Sequence, residues 1–329
     1  MCIYIHTMKF LILKTTDPNR NLATEEYLFT HCDEDIFMLW QNEPTVVIGK
    51  NQNAFAELNM DYIKNNNIHI VRRITGGGAV YHDLGNVNYT FISTKKGSCG
   101  IDFEYFTKPI IEALASVGIF AELSGRNDIL IDGKKVSGNA QHTNEKRVLH
   151  HGTLLFDSDL SVLSDALKVD EEKIKAKAIK SVRSRVTNIK EYLPELDVSD
   201  FISLIEKFLK EKYAPEILRA PTDDEISKIL SKYTSNEWVF PNSDYISQYT
   251  VKKKCRYPFG SVEIQIKMKN DSIKKIKIHG DFFGVKDTSE LEAYLENTSL
   301  NVLENKLSAI HIEDYILGMT SEDFIKQIK

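Results

Sequence analysis

Three consecutive glycines, Gly76-Gly77-Gly78, stand between Arg72-Arg73-Ile74-Thr75 and Ala79-Val80-Tyr81-His82-Asp83. Residues without a Cβ let the backbone take conformations closed to others and let a ligand approach the amides closely. Successive N–H groups in such a loop can cradle an anion, and neighbouring guanidinium groups add charge for a phosphate or carboxylate. An isolated glycine triplet is usually a tight turn or a bulge. Here the flanking arginines, the His-Asp pair and the strand pattern that follows favour a ligand loop. It is not a P-loop, since no Gly-Lys-Ser/Thr follows, and it lacks dinucleotide-loop spacing.

A second cluster lies in SGRNDILIDGKKVSGNAQ, residues 124 to 141. Arg126-Asn127-Asp128 offers contacts for phosphates, or hard oxygen donors for Mg²⁺. Lys135 sits on the returning arm of a hairpin whose Asp132-Gly133 supplies the positive-φ turn. Taken alone, a lysine there is a solvated strand residue; aimed into a pocket, it is a point charge for a phosphate and the carboxylate beside it. His150-His151 cannot readily chelate one ion, because strand neighbours point to opposite faces. The expectation is one histidine lining a pocket and its partner outside. Lys173–Lys190 is a basic run, read as a solvated face or as a docking surface for an acidic partner or a released pyrophosphate.

The elements that must position these groups are legible from periodicity. Lys9–Leu13, Ile36–Trp40 and Thr45–Ile48 read as strands, and Asn21–Cys32 as a helix with Leu22, Tyr27 and Leu28 inward. Val87, Tyr89 and Phe91 alternate with Asn88 and Thr90, again a strand. Residues 107–119 read as a helix with Pro109 near its first turn. Further helices are expected at about 160–167, 200–213 and 222–233, the last with a Thr222/Glu225 capping box. Residues 242–255 are polar, basic and unpatterned, which suggests a linker. Beyond it come a hairpin around Asn270-Asp271 and a helix opening at Ser289 with Glu292 in capping-box register. The reading is an α/β body over residues 1–245 with a mixed sheet, and a small α+β domain over 246–329.

Composition sets the outer limits. The chain has 329 residues, 42% hydrophobic and 27% charged, with a net charge of −5. That balance argues against a globally basic nucleic-acid binder. No apolar run reaches the roughly 18 residues a membrane helix needs. Cys2, Cys32, Cys99 and Cys255 form no CxxC pair and suit a reduced, cytoplasmic setting. The opening residues make a poor signal peptide, and Met8 is a second candidate start.

Four motifs occur in order: RRITGGGAVYHDLGNVNYTF, GRNDILIDGKKVSGNAQ, HHGTLLFD and KSVRSRVTNIKEYLP. Together they resemble the lipoate–protein ligases, relatives of the biotin–protein ligases. The late GDFFGVKD, residues 280 to 287, resembles the accessory domain at the C-terminus of many such enzymes, one thought to swing during the cycle. The resemblance implies the ligase-type mixed-sheet fold and a two-step reaction. Lipoate and Mg·ATP would give lipoyl-AMP and pyrophosphate; a lysine ε-amine on an acceptor would then take the lipoyl group. The implied acceptors are lipoyl domains of 2-oxoacid dehydrogenases and the glycine-cleavage H protein, with octanoate as an alternative acid.

By the same resemblance, Arg73, Gly78, Ala79, Val80, Tyr81 and Lys135 would bind ATP or the adenylate. Leu22, Arg73, Thr75, Gly78, His82 and Lys135 would line the lipoyl site, with Lys135 as the catalytic group. Asp128 would help hold Mg²⁺. The nearest rival chemistry is an octanoyl- or lipoyl-transferase working through a cysteine thioester without ATP. A biotin–protein ligase is disfavoured by its different glycine signature. A non-catalytic binder of lipoyl domains or lipoate is disfavoured by the intact Lys135, Arg73 and glycine loop.

Overall fold

A computed structural model describes residues 8–95, 101–168, 185–241 and 249–329. These divide into two compact units. The first comprises the chain to Val47, Leu58–Val71 and Val80–Ser235; the second comprises Ile48–Glu57, Arg72–Ala79 and Asn236–Lys329.

The first unit is built on strands β1 (Lys9–Ile12), β2 (Ile36–Trp40), β3 (Thr45–Ile48), β4 (His69–Arg72), β5 (Val80–His82), β6 (Asn86–Thr94), β7 (Ala121–Ser124), β8 (Asp128–Ile131), β9 (Lys134–Thr143), β10 (Arg147–Leu155) and β11 (Glu216–Ile217). Eight of them form one sheet in the order β11-β1-β2-β6-β10-β9-β8-β7, while β4-β3-β5 form a smaller one. β1 runs parallel to β2 and β11, and the remaining pairs of the large sheet are antiparallel, so the sheet is mixed.

One face of the large sheet carries the apolar core. Phe37, Leu39, Val87, Tyr89, Phe91 and Leu154 pack there against helices α2 (Phe103–Ala115) and α3 (Val198–Tyr213) through Ile110, Leu114, Phe201 and Ile205. The pleat that sends these residues one way sends Trp40, Asn88 and Thr153, paired across β2, β6 and β10, the other way. That second face is buried yet polar: Asn86, Asn88, Thr90, His151 and Thr153 are all at most 9% exposed. Helix α1 (Pro18–His31) meets it, capped by the Asp17 carboxylate on the Asn19 and Arg20 amides.

The second unit has a four-stranded antiparallel sheet of β12 (Val251–Tyr257), β13 (Gly260–Lys269), β14 (Ser272–Gly280) and β15 (Thr298–Ser299). Alternating isoleucines of β13 and β14 meet Leu291, Leu295, Leu307 and Phe324 in its core.

Most expected elements are present, and four details differ. Helix α2 begins at Phe103, not Thr107, because Asp102 caps the Tyr105 amide; Pro109 therefore sits in mid-helix. Residues 251–255, expected within a linker, open β12, whose side chains alternate between half-buried and exposed. The helix at Ser289 starts instead from Asp287, whose carboxylate caps the Ser289 amide of Thr288–Leu295. Glu292 turns inward and accepts from the Ile278 amide and Lys277. Finally, His150 is not outside: it is fully buried on the core face, stacked 5.1 Å from the Phe106 ring. Burial pulls its imidazole well below the ordinary value, so it stays neutral.

Candidate active site

In the second unit the glycine loop is shaped by its own arginines. Arg73 Nε donates to Thr75 Oγ1 at 2.8 Å, and Arg73 Nη2 donates to the Gly76 and Gly78 carbonyls at 2.7 and 2.8 Å. One guanidinium thereby bends the triplet around itself and turns those carbonyls inward. Arg72, only 1% exposed, donates to the carbonyls of Gly49, Lys50, Gln52, Trp238 and Val239. Burial, with the Arg73 charge second, lowers its guanidinium to about 10, still a cation at neutral pH. The sequence suggested that both arginines flank an anion. Arg72 is instead a backbone clamp.

Gly77 has φ +91°, a left-handed conformation that glycine adopts without cost. Gly49 crosses the loop so closely that a Cβ there would lie 2.0 Å from the Gly77 carbonyl oxygen. The Lys50 amide donates to the Thr75 carbonyl at 2.9 Å, and Lys50 pairs with Asp287. The Gly77 amide donates to the Phe282 carbonyl, within the GDFFGVKD segment. Gly78 has an open side: the nearest atom to a Cβ there would be 3.9 Å away.

The first unit holds the remaining expected residues. Val80 and Tyr81 lie in β5, an outer strand of its sheet, so one row of backbone groups has no further strand partner among the described residues. Burial, reinforced by Asp83, raises the Tyr81 phenol to about 12. His82, 4% exposed, meets Asn42 Nδ2 at 3.1 Å, and Asn42 accepts from Asn21 on α1, beside the fully buried Leu22. Leu22 and His82 are thus tied into one region of this unit.

Sequence reasoning missed the network across the buried polar face. Trp40 Nε1 donates to Thr90 Oγ1 at 2.9 Å, and that hydroxyl donates to Glu25 Oε1 at 2.7 Å. His151 Nδ1 stands 2.9 Å from the same carboxylate, which accepts and so fixes the proton on Nδ1. No local signal points to it: an alternating strand pattern assigns Asn88 and Thr90 to solvent, whereas here both faces of the strand are covered.

Lys135 and Asp128 meet on adjacent strands, with Nζ 2.8 Å from Oδ1, both side chains about one-third exposed. Asp132 and Gly133 take φ of 50° and 75° in the turn joining them, as their types require. On its other side the Lys135 backbone donates to the Arg185 carbonyl and accepts from the Thr187 amide at 3.0 Å. Among the described residues no group of three His, Cys, Asp or Glu could hold a metal ion. The basic run to residue 184, Cys2, Cys99 and residues 242–248 lie outside the described residues.

The fold and these groups define a mixed-sheet α/β protein with a braced glycine loop and a paired hairpin lysine, accompanied by a small α+β unit. Residues 17–210 match the family model of the lipoyl protein ligase A/B catalytic domain, and residues 247–328 match that of the bacterial lipoate protein ligase C-terminus. The chain belongs to the lipoyl protein ligase A/B family. It is 41% identical to the lipoate–protein ligase LplJ of Bacillus subtilis, over 95% of this chain and 97% of that one. It is 42% identical to lipoate–protein ligase 1 of Staphylococcus aureus, over 97% and 99%. Among solved structures, LipL1 of P. falciparum in complex with lipoate shares the fold at a TM-score of 0.79 and 23% identity, covering 98% of each chain. A lipoate–protein ligase A bound with ATP matches at a TM-score of 0.59 and 25% identity, over 71% of this chain and 99% of that one.

Proposed function

We propose that this chain is an ATP-dependent lipoate–protein ligase acting in two steps. The lipoate carboxylate attacks the α-phosphorus of ATP, forming the acyl–phosphate bond of lipoyl-AMP as pyrophosphate leaves. A lysine ε-amine of an acceptor then attacks the acyl carbon, forming an amide as AMP leaves and the amine gives up its proton. Full-length identity above 40% to curated lipoate–protein ligases carries this reading.

The chemistry asks for fixed positive charge and amide dipoles, because two anions must approach. Lys135 meets that need as an electrostatic and orienting group for the acid and the α-phosphate. Backbone groups of Gly78, Ala79, Val80 and Tyr81 take the nucleotide. Arg73 and Thr75 hold the loop in shape beside the bound acid, while Leu22 and His82 line its alkyl chain. No covalent enzyme intermediate is required.

Mg²⁺ fits this site as an ion held mainly by nucleotide phosphates: Asp128 is a partly exposed hard ligand, and among the described residues no cluster of three His, Cys, Asp or Glu surrounds it. When bound, the ion would neutralise charge on the departing pyrophosphate. Octanoate as a second acid and the H protein as a second acceptor belong to the same proposal, as does a cytoplasmic location. No described helix is long and apolar enough to cross a membrane.

The thioester alternative lacks support from the described cysteines. Cys32 is half-buried and its thiol is raised by burial, then by Glu34, which disfavours the thiolate a nucleophile needs. The deciding experiment is intact-mass analysis of an apo lipoyl domain after incubation with the protein, ATP and either lipoate or octanoate. Mass gain that requires ATP supports the ligase; gain without ATP from an acylated donor protein supports the transferase. Lys135→Ala should lower adenylate formation about a hundredfold, the loss of roughly 3 kcal/mol of charge stabilisation.

A further inference from the structure

We infer that Gly138, together with a β-bulge at Val136, is the positioning device that aims the Lys135 ammonium. The inference rests on the proposed role of Lys135. Along β8 and β9 the pairing runs Asp128 with Gly138 and Ile129 with Ser137, then shifts so that Leu130 pairs with Lys135. Val136 is the extra residue, and its side chain is fully buried in the core. In an unbroken strand, residues 135 and 138 point to opposite faces. The bulge cancels that half-period and brings the Lys135 side chain over Gly138.

Contact there is close. A Cβ on Gly138 would lie 2.9 Å from Lys135 Nζ and 3.1 Å from its Cε, and the next nearest atom is Asp128 Oδ1 at 3.9 Å. Gly138 is absent from the positive-φ residues, so its backbone does not call for glycine. Nor does its hydrogen bonding, since its amide donates to Thr153 Oγ1 at 3.1 Å through atoms every residue has. What distinguishes this position is the lysine lying across it. The missing Cβ opens a groove along β9 in which the Lys135 chain rests, ending at Asp128. The bonds from residues 185 and 187 to the Lys135 backbone fix the other end of the same side chain.

Among the described residues, an added methyl at residue 138 therefore meets only the flexible end of one side chain at closer than 3.9 Å. The ammonium must move by several tenths of an ångström or more, and a misplacement near 1 Å can cost about a hundredfold in rate. The test compares Gly138→Ala, Lys135→Ala and the parent chain in lipoate-dependent pyrophosphate release, melting temperature, and the rate of ε-amine labelling at Lys135 read by peptide mass spectrometry. The expected result for Gly138→Ala is a kcat about tenfold to a hundredfold lower, KM for ATP and lipoate within a factor of two, an unshifted melting temperature and altered labelling at Lys135 alone. Parent-like kcat or unchanged Lys135 labelling overturns the inference, and so does a large fall in melting temperature, which would mean the methyl meets more than the lysine. If Lys135→Ala itself keeps full pyrophosphate release, the assigned role of Lys135 fails first. If only Gly138→Ala keeps it, the positioning inference fails alone.

Discussion

The Gly77 amide donates to the Phe282 carbonyl at 3.1 Å, and two carbons of the Phe283 ring lie 3.1 Å from where a Gly77 Cβ would project. The middle glycine of the triplet is therefore held by three demands: a positive φ, a backbone partner at residue 282 and an aromatic wall at residue 283. In Gly77→Ala the left-handed conformation costs about 1–2 kcal/mol, and the methyl also crowds Arg73 Nη2 at 3.0 Å. The expected outcome is a loss of about 2–3 kcal/mol in urea unfolding together with weaker nucleotide binding by calorimetry. Unchanged stability would show that the loop relaxes freely.

Arg72 makes a different prediction. Among the described residues its guanidinium serves five carbonyls and no carboxylate, so its worth there lies in donor count and fork geometry rather than charge pairing. Lysine has three donors on one atom and cannot span these acceptors. Arg72→Lys should lower stability by about 2 kcal/mol, and Arg72→Met by more, because it leaves buried carbonyls unpaired. Denaturant midpoints of the three proteins rank the effect; equal losses for both variants would assign it to packing.

How much of this was legible beforehand follows from which forces act locally. The Asp132-Gly133 turn, the Asn270-Asp271 turn and the Thr222 capping box are set by a few neighbouring residues, and all three stand where their types put them. The cap at Asp102 was missed because Pro109 looked like a helix start, although Phe103 and Phe106 gain burial by extending the helix. The role of Arg72 was not readable, since its acceptors come from residues 49–52 and 238–239, far away in sequence. Nor was the polar buried face, because alternation shows that a strand has two faces without saying what covers the second. The motif around it singles out Lys135. The bulge that aims it depends on pairing register, which one strand cannot declare.

Glu25 and His151 carry a third prediction. The carboxylate is 1% exposed and accepts from Thr90 and His151. Removing one member of a buried pair strands the other, at about 3 kcal/mol. His151→Leu should show that loss, whereas Glu25→Leu with His151→Leu together should recover at least about 1 kcal/mol of it. A double-mutant cycle by urea unfolding measures the coupling. Strict additivity would show that the two side chains do not depend on each other.

His279 supplies a pH dependence with a defined sign. It is 8% exposed, and burial first, then Lys277 and Arg72, lowers its imidazole from 6.5 to about 4, opposed by Glu263 and the Asn51 backbone. A histidine whose folded value is depressed stays neutral when folded while the unfolded chain takes up a proton between those two values. Stability is then lost as pH falls from 6.5 towards 4, by up to about 3 kcal/mol, and this contribution flattens below 4 where both states are protonated. The Asp287 carboxyl, held at about 2 by Lys50 and the Ser289 amide against the cost of burial, acts in a separate window below 3.8. His279→Gln should therefore flatten the urea-midpoint curve between pH 6.5 and 4 and leave the steeper acid loss below it in place. A variant curve parallel to the parent throughout would show that another group drives the decline.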